Sequence, residues 1–364
     1  MENNSLLEEI ISNFEFKGKL YEQKQHHVGN INDTFILTFL DGEEKNKYIV
    51  QRINNKVFTE PEKLMDNMVV ITKHITNKVK EAGGDVSRES LSLVKTVDGK
   101  YFYKTNSGDY YRAFPFIRDA KTYMKVENDV HIYEAGKALG KFQKQLADFK
   151  ADELFEVIKD FHNTPVRYLA FEKAIEEDKE DRVKLAMKEI KFIMDRRREL
   201  SKLTDLLEEG KLPLRVTHND TKFNNIMIDD ETGKAICVID LDTVMPGLSL
   251  YDFGDAIRSG CSTATEDETD LDKVTIDLNL YKRFVEGVFE ECKDTLNDYE
   301  IENIAFSAKL ITIELAMRFL TDYLNGDIYF KVNSDTHNLE RTRNQLKLAF
   351  DMEQKMQEME SYLK

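Results

Sequence analysis

A change of pattern partway along the chain limits the folds that it can adopt. Before residue 112 the sequence alternates strand-like segments with polar turns, and from about residue 128 its apolar residues follow helical spacing. A region of strands followed by a region of helices indicates an α+β protein. We therefore predict a small antiparallel β-rich lobe joined to a larger helical lobe.

Turns and apolar spacing place the individual strands and helices. The turn DGEEKN separates two β-favouring runs and predicts a hairpin, whereas Leu64, Met68 and Ile71 recur at helical spacing. The predicted strands lie at 33–40, 47–54, 91–96, 101–105, 109–114, 225–228 and 235–239. The predicted helices lie at 5–14, 61–81, 129–148, 166–178, 181–207, 272–293, 298–324 and 335–361.

The join between the lobes is predicted at residues 113–119, AFPFIRD, where a proline and an apolar stretch end the last strand of the first lobe. Residues 1–112 then form the N-terminal lobe, and residues 120–364 form the helical C-terminal lobe. Both lobes are long enough to bury a core of their own.

Composition excludes several classes of protein. No apolar run is long enough to span a membrane, and a glutamate-bearing start is not typical of a secretory signal. A formal net charge of −16 disfavours nucleic acid as a partner. The cysteines, Cys237, Cys261 and Cys292, are widely spaced and odd in number, which argues against a disulfide framework or a zinc site. We therefore expect a cytoplasmic protein.

Residues 215–242, RVTHNDTKFNNIMIDDETGKAICVIDLD, carry three polar side chains at a suggestive spacing. Asp220 lies in a turn after a short apolar run, Asn225 follows five residues later at the start of a strand, and Asp240 ends the next strand. Taken singly, each is more often a turn or cap residue. The hairpin between them, however, places Asn225 and Asp240 at neighbouring strand ends, where their side chains can converge.

This residue set suits phosphoryl transfer. One carboxylate can accept or orient the proton of an attacking hydroxyl, while an asparagine and a second carboxylate can hold Mg²⁺ against the phosphates. Hard oxygen ligands of this kind are those that Mg²⁺ prefers. We therefore interpret Asp220 as the candidate base and the other two residues as candidate metal ligands.

The motif HNDxxxxN followed by an apolar run and IDxD resembles the aminoglycoside phosphotransferase and choline kinase superfamily. That resemblance implies a protein-kinase-like two-lobed fold. Residues 239–258, IDLDTVMPGLSLYDFGDAIR, and 314–330, ELAMRFLTDYLNGDIYF, together with GNINDTF and KYIVQRIN, resemble the N-acetylhexosamine 1-kinases. Those enzymes phosphorylate the anomeric hydroxyl of N-acetylglucosamine or N-acetylgalactosamine. The resemblance thus implies a kinase that uses ATP, Mg²⁺ and a small sugar.

The resemblance also implies roles for single residues. Asp220 is the base, Asn225 and Asp240 bind Mg²⁺ with Asp242 as a further candidate ligand, and His218 braces the loop through hydrogen bonds. Asp252, in YDFGD, looks like the Asp-Phe-Gly of protein kinases. Because the metal aspartate of this superfamily comes earlier in the chain, we interpret Asp252 as structural.

The N-terminal lobe is expected to contact the nucleotide. Residues 29–34, GNINDT, occupy the place of a phosphate-covering loop, and the absence of GxxxxGK[ST] argues against a P-loop kinase. The candidate nucleotide contacts are Asn32 and Thr34 in this loop and Phe114, Phe116 and Ile117 in the hinge.

A cation on the third strand normally pairs with the α- and β-phosphates. Arg52 is the candidate, because it lies two residues after Val50 and so shares its face of the strand. Gln51 is the alternative, and Glu62 is a candidate helix partner for the cation.

The acceptor site is expected on the helical lobe near Asp220. Arg318 and Asp322 stand four residues apart on one predicted helix face, where they either contact the acceptor or form an intrahelical ion pair. The candidate acceptor contacts are Asn30, Arg258, Arg318, Asp322 and Tyr323.

Three alternatives remain open. The first is the same chemistry on choline, ethanolamine, homoserine or an aminoglycoside, since cationic acceptors need acidic or aromatic pocket walls. The second is a kinase-like binding module without activity, which intact Asp220, Asn225 and Asp240 argue against. The third is a metal-dependent hydrolase, which lacks a His-rich ligand set. The sequence does not predict the oligomeric state.

Overall fold

The N-terminal lobe is a five-stranded antiparallel sheet with a helix on each face. The computed structural model describes residues 2–26 and 32–364. The strands run in the order β1-β2-β3-β5-β4. The elements of this lobe are α1 (Glu2–Ser12), β1 (Lys19–His26), β2 (Asp33–Asp41), β3 (Glu44–Ile53), α2 (Pro61–Glu81), β4 (Tyr103–Lys104) and β5 (Tyr110–Pro115).

The two faces of this sheet contact different parts of the molecule. Ile53 and Phe114 pack against α2 and against C-terminal residues such as Leu241, and this side is called the α2 face below. Val50 and Ala113 pack against α1, and this side is called the α1 face. Because side chains alternate along a strand, a shift of one residue moves a side chain from one face to the other.

The C-terminal lobe is mainly helical and carries short strands at its junction with the sheet. Its strands are β6 (Ala120–Lys121), β7 (Arg215–Thr217), β8 (Ile226–Asp229), β9 (Ala235–Val238) and β10 (Met245–Gly247), paired as β6-β8-β9 and β7-β10. Its helices are α3 (Asp129–Gln145), α4 (Thr164–Glu177), α5 (Met187–Asp195), α6 (Lys202–Glu208), α7 (Ser249–Gly260), α8 (Leu278–Cys292), α9 (Asp298–Glu302), α10 (Ile304–Leu324) and α11 (His337–Ser361). The predicted α+β two-lobed fold is confirmed.

Helix α10 forms the centre of the C-terminal lobe, because it is buried on nearly all sides and packs against α4, α7 and α11. Helices α3 and α8 approach each other through glycines. A Cβ on Gly136 would lie 2.2 Å from the Phe284 carbonyl oxygen, and one on Gly287 would lie 2.1 Å from the Tyr133 carbonyl oxygen. Larger residues at these two positions would force the helices apart.

Several predicted elements differ from the structure. Helix α2 has the predicted bounds, but β1 was missed because KLYEQKQH is polar and lies exposed at the sheet edge. Residues 91–96 form no regular strand, although the Val94 N–H bonds the Ala113 carbonyl. The helix predicted over 181–207 is divided into α5 and α6, and the one predicted over 298–324 is divided at Asn303.

The remaining differences concern boundaries. Helix α8 begins at Leu278 rather than at 272, because the Asp277 side chain accepts the Asn279 and Leu280 N–H groups and caps the helix there. The predicted end of the first lobe at residue 112 falls inside β5, and the proposed lobe boundaries stay a prediction.

Among the described residues, none of the helices is both long and apolar enough to cross a lipid bilayer.

Candidate functional site

A buried carboxylate holds the loop that carries Asp220. This loop, residues 218–225, is called the HND loop. Asp252, in the first turn of α7, accepts the backbone N–H of His218 at 2.9 Å and that of Asn219 at 2.7 Å. The Gln143 side chain donates a third hydrogen bond to Asp252 at 3.0 Å. Asp252 therefore fixes the backbone that presents Asp220.

The buried ring of His218 ties this loop to the strand that precedes Asp240. Its Nε2 lies 2.9 Å from the Ile239 carbonyl oxygen, and its Nδ1 lies 3.2 Å from the backbone nitrogen of Asp220. Since the backbone N–H must donate, Nδ1 accepts and Nε2 carries the proton. One histidine thus positions both carboxylate-bearing segments.

Asn219 has left-handed backbone geometry with φ of 64°. Its amide donates to the carbonyls of Thr217 and Thr243 at 3.2 and 2.9 Å, which holds this unfavourable conformation. Strand β10 runs so close that a Cβ on Gly247 would lie 2.3 Å from Thr217 Oγ1. A larger residue at position 247 would therefore have to displace the Thr217 side chain, whose hydroxyl donates to Asn219 of the HND loop.

The structure brings Asp220, Asn225 and Asp240 together at one cleft between the lobes. The Asn225 amide donates to the Asp220 carbonyl oxygen at 2.9 Å, which leaves the amide oxygen of Asn225 available to a cation. The Ile239 N–H bonds the Asn225 carbonyl oxygen at 2.9 Å and so places Asp240 beside Asn225. These hydrogen bonds bring the two strand ends together, and the roles of the three side chains stay a prediction.

The electrostatics at Asp240 favour a divalent cation. Solvent reaches this carboxylate from the cleft, yet protein surrounds it on its other sides. Desolvation together with the negative charges of Asp242 and Asp220 raises the pKa of Asp240 to about 7, against the opposing effects of Arg112 and His218. A carboxylate and an amide oxygen in such a negative setting suit Mg²⁺.

A neighbouring lysine, which was not among the predicted site residues, favours the ionised form of Asp220. Lys222 Nζ lies 2.8 Å from Asp220 Oδ1. Burial acts to raise the pKa of Asp220, but the charge and hydrogen bond of Lys222, with smaller effects of His218 and Arg258, leave that pKa lowered. Asp220 can therefore accept a hydrogen bond or a proton from a hydroxyl group at neutral pH.

Asp242, the further candidate metal ligand, lies buried between the two lobes. It is 4% exposed, its Oδ1 lies 2.5 Å from Arg112 Nη1, and its Oδ2 accepts the Asn32 amide at 2.6 Å. Arg112 and Asn32 both belong to the N-terminal lobe. In this structure Asp242 bridges the lobes through these two contacts, and its role as a further metal ligand stays a prediction.

The prediction for Arg52 is wrong because of the face on which its strand neighbours pack. Val50 belongs to the α1 face, so Arg52 lies there as well, 46% exposed and ion-paired with Asp33 and more weakly with Asp109. Gln51, the predicted alternative, points to the α2 face and hence toward the cleft.

The buried cation on the α2 face is Arg112 of β5, which the sequence did not reveal. It stands opposite Gln51 in the strand register and donates to Gln51 Oε1 from Nε at 3.1 Å and from Nη2 at 2.8 Å. The predicted helix partner Glu62 does not contact it, since Glu62 accepts the Tyr110 hydroxyl at 3.0 Å instead.

The other predicted nucleotide contacts lie along the same cleft or the hinge. Thr34 is buried opposite Gln51 and accepts its amide at 3.2 Å. Phe114 and Ile117 are buried, and the Phe116 N–H bonds the Lys47 carbonyl oxygen at 3.0 Å. Asn30, a predicted acceptor contact, lies outside the described residues.

Two predicted acceptor contacts have structural positions instead. The carboxylate of Asp322 accepts three backbone N–H groups, those of Ile328, Tyr329 and Phe330, at 2.8–3.0 Å. Tyr323 is 2% exposed, with the Arg182 guanidinium over its ring. Both predictions for acceptor binding are therefore corrected: Asp322 fixes the loop after α10, and Tyr323 belongs to the core.

Arg258 is buried beneath the cleft rather than on its surface. It bonds Asp255 Oδ1 at 2.9 Å, Glu266 Oε1 at 2.6 Å and the Gln345 side chain at 3.2 Å. Its charge contributes to the lowered pKa of Asp220 and so favours the ionised form of the candidate base. Glu266, partly exposed above it, is a further acidic group on this side.

Arg318 is the predicted acceptor contact that stays available. Its guanidinium lies 4.9 Å from the ring centroid of Phe161 and 5.7 Å from that of Phe330. Within residues 2–26 and 32–364 it has no carboxylate within ion-pair distance, so the alternative pairing with Asp322 is not formed. Its helix neighbour Glu314 bonds His162, which contacts the Asn219 carbonyl oxygen at 3.2 Å.

A sheet lobe and a helical lobe that enclose an aspartate, an asparagine and a second aspartate define a kinase-like phosphotransferase. The sequence model of the phosphotransferase enzyme family (APH) matches residues 22–275. This chain belongs to that family.

Solved structures with the same fold cover nearly the whole chain. An aminoglycoside phosphotransferase from Alicyclobacillus acidocaldarius is 13% identical with a TM-score of 0.64, covering 96% of this chain and 95% of that one. A microcompartment-associated aminopropanol kinase is 12% identical with a TM-score of 0.60, covering 99% of both chains. A spectinomycin phosphotransferase in complex with ADP and spectinomycin is 16% identical with a TM-score of 0.58, covering 96% of this chain and 98% of that one. At these identities the likeness establishes the fold.

Proposed function

We propose that this protein transfers the γ-phosphate of ATP to a hydroxyl group of a small molecule with the help of Mg²⁺. The observation that carries this proposal is the convergence of Asp220, Asn225 and Asp240 on one cleft. The ADP in the spectinomycin phosphotransferase structure supports the choice of an adenine nucleotide.

The chain supplies a base, a metal site and a rigid frame. Ionised Asp220 accepts the hydrogen bond of the attacking hydroxyl and directs its oxygen toward the phosphorus. Asn225 and Asp240 are the residues that would hold Mg²⁺, which neutralises charge on the phosphates when bound. Asp252 and His218 keep the base and metal-binding segments in register, so that little reorganisation is needed at the moment of transfer.

We further propose that the acceptor is an N-acetylhexosamine, phosphorylated at its anomeric hydroxyl. Arg318, which has no carboxylate partner among the described residues, offers hydrogen-bond donors next to Phe161, and the following residue, His162, contacts the HND loop. Such a donor suits the amide carbonyl and hydroxyl oxygens of an N-acetyl sugar, and it repels an ammonium group. Phe161 and Phe330 supply flat apolar surfaces for a sugar ring.

A cationic acceptor is the second candidate. Glu266 is partly exposed near Lys222 and Arg258, and the charges of these neighbours lower its pKa against the effect of burial. An ionised glutamate near the base would suit an amino alcohol or an aminoglycoside. Two of the similar structures, an aminopropanol kinase and an aminoglycoside phosphotransferase, are named for acceptors of this class.

A product assay separates these acceptors. Purified protein is incubated with Mg-ATP and a panel of N-acetylglucosamine, N-acetylgalactosamine, hexoses, choline, aminopropanol and aminoglycosides, and products are identified by mass. We expect a sugar 1-phosphate from at least one N-acetylhexosamine. Product from a cationic acceptor alone would overturn the sugar assignment, and no product from any acceptor, with no ADP release, would overturn the kinase proposal.

A further inference from the structure

We infer that Arg112 supplies the cation that binds the nucleotide phosphates, and that it exchanges its ion pair with Asp242 for phosphate oxygens when the nucleotide enters. This inference rests on the proposed function, since it names a residue for the same nucleotide site. It places the phosphate-binding cation on β5 and leaves Gln51 at the matching position of β3.

The strand register supports this assignment. Arg112 and Gln51 are direct partners between β5 and β3, and both side chains lie on the α2 face that meets the C-terminal lobe. A guanidinium reaching from β5 therefore arrives at the same place as a cation on β3 would. Gln51 holds it there by accepting from both Nε and Nη2.

The charges around Arg112 make an exchange of partners possible. Glu62, the nearby acidic residue on α2, is engaged by the Tyr110 hydroxyl, so no described carboxylate of the N-terminal lobe holds Arg112. Its described carboxylate partner, Asp242, belongs to the other lobe and lies two residues after the candidate metal ligand Asp240. Arg112 is thus held on one side by neutral N-lobe groups and on the other by an anion of the C-lobe.

A phosphate group can replace that anion. Guanidinium binds carboxylate and phosphate through the same paired N–H geometry, so a diphosphate entering beside Asp240 competes directly with Asp242. The exchange would also free an oxygen of Asp242, which could then assist Asn225 and Asp240. Lys222, the cation next to the candidate base in the described residues, is already bound to Asp220.

The opposing interpretation is that Arg112 only bridges the lobes. The two interpretations differ in how the partners Arg112 and Asp242 affect nucleotide affinity. If Arg112 binds phosphate, removing Arg112 and removing the charge of Asp242 should act in opposite directions on ADP binding. If the ion pair is only structural, the two changes should act alike.

The experiment measures dissociation constants for ADP and for adenosine by calorimetry in the presence of EDTA, without turnover or metal. We expect Arg112→Gln to weaken ADP binding about 10- to 100-fold and to leave adenosine binding unchanged. We expect Asp242→Asn to leave ADP binding equal or tighter, because Arg112 loses its competing partner. Arg112→Lys should keep part of the ADP affinity, and it replaces Arg112→Gln as the test if that variant does not fold.

The matched control is Arg52→Gln, which removes an arginine from the opposite face of the same sheet and should change neither constant. Parallel losses of ADP and adenosine affinity in Arg112→Gln and Asp242→Asn would overturn the inference, as would unchanged ADP binding in Arg112→Gln and Arg112→Lys. If the wild-type protein binds no ADP either in EDTA or in excess Mg²⁺, the proposed function fails and this inference fails with it.

Discussion

The two sides of the cleft are built in different ways. On the C-terminal side, Asp252 accepts two backbone N–H groups of the HND loop, and the side chains of His218 and Asn219 bond the carbonyl groups of Ile239 and Thr243. On the N-terminal side, Gln51 and Arg112 depend on the register between two strands and on a single ion pair to the other lobe. The proposed base and metal ligands thus lie on the side that is fixed by several hydrogen bonds, whereas the proposed phosphate-binding arginine lies on the side where an exchange of partners would break fewer bonds.

The largest expected effect tests the C-terminal side. Asp220→Asn should lower kcat by about 10²- to 10⁴-fold, because the amide cannot accept the hydroxyl proton, while ADP binding changes little. Steady-state turnover on the accepted substrate and ADP calorimetry measure the two quantities. Asp230→Asn, the same substitution in an exposed hairpin turn, serves as the control. Near-normal turnover in Asp220→Asn would remove the proposed base.

This asymmetry also decides what the sequence could predict. Asp220, Asn225 and Asp240 fall within one short run, joined by a hairpin, so their spacing alone predicts that they meet. Asp252 was predicted to be structural, but its bonds to the HND loop could be seen only in the structure. The loop and hairpin geometry of this region is local, and local geometry can be inferred from neighbouring residues.

The N-terminal side could not be predicted in the same way. Val50 is apolar and buried, but both faces of β3 are buried by helices, so its burial does not reveal which face meets the cleft. Arg52 was therefore assigned to the wrong face. Arg112 depends on the pairing of β5 with β3, which lie far apart in the chain, and no spacing in the sequence marks it.

The second prediction tests whether the close packing of β10 against Thr217 helps to fix the HND loop. Gly247→Ala should lower turnover by about 10²-fold and the free energy of unfolding by about 1–3 kcal/mol, because its Cβ collides with Thr217 Oγ1. Adding Thr217→Ala removes the blocking hydroxyl and should restore part of the stability. Kinetics and chemical denaturation of the single and double variants measure both effects. Equal stability of the wild type and Gly247→Ala would show that Thr217 and the HND loop can move aside to accommodate the added Cβ.

The third prediction concerns proton competition at the candidate metal site. Because the pKa of Asp240 is raised to about 7, Mg²⁺ affinity should fall about tenfold per pH unit below that value and level off above it. Calorimetric Mg²⁺ titrations between pH 6 and pH 8 should show this dependence together with proton release. Asp240→Asn should lose most of the affinity and all of its pH dependence.

The sign of the linked stability effect follows from the same raised pKa. Metal-free folded protein binds a proton on Asp240 more tightly than the unfolded chain does, so this group adds stability as pH falls from about 7 toward the ordinary carboxyl range. Asp240→Asn should therefore raise the melting temperature of the metal-free protein at pH 8, and this advantage should shrink by pH 6. An advantage that is constant with pH would contradict the assigned pKa.

The smallest expected effect comes from Arg52 and sharpens the contrast between the faces of one sheet. Arg52 and Asp33 form an exposed ion pair, so Arg52→Gln should cost only about 0.2–1 kcal/mol of unfolding free energy and less at high salt. Turnover and ADP affinity should remain at wild-type values, in contrast to Arg112→Gln, because the side chain lies on the α1 face away from the cleft. A large loss of ADP affinity in Arg52→Gln would mean that the outer face also reaches the nucleotide. The alternation of side chains along the strands would then no longer separate the two arginines, and Arg112 would have no geometric advantage over Arg52 as the phosphate-binding cation.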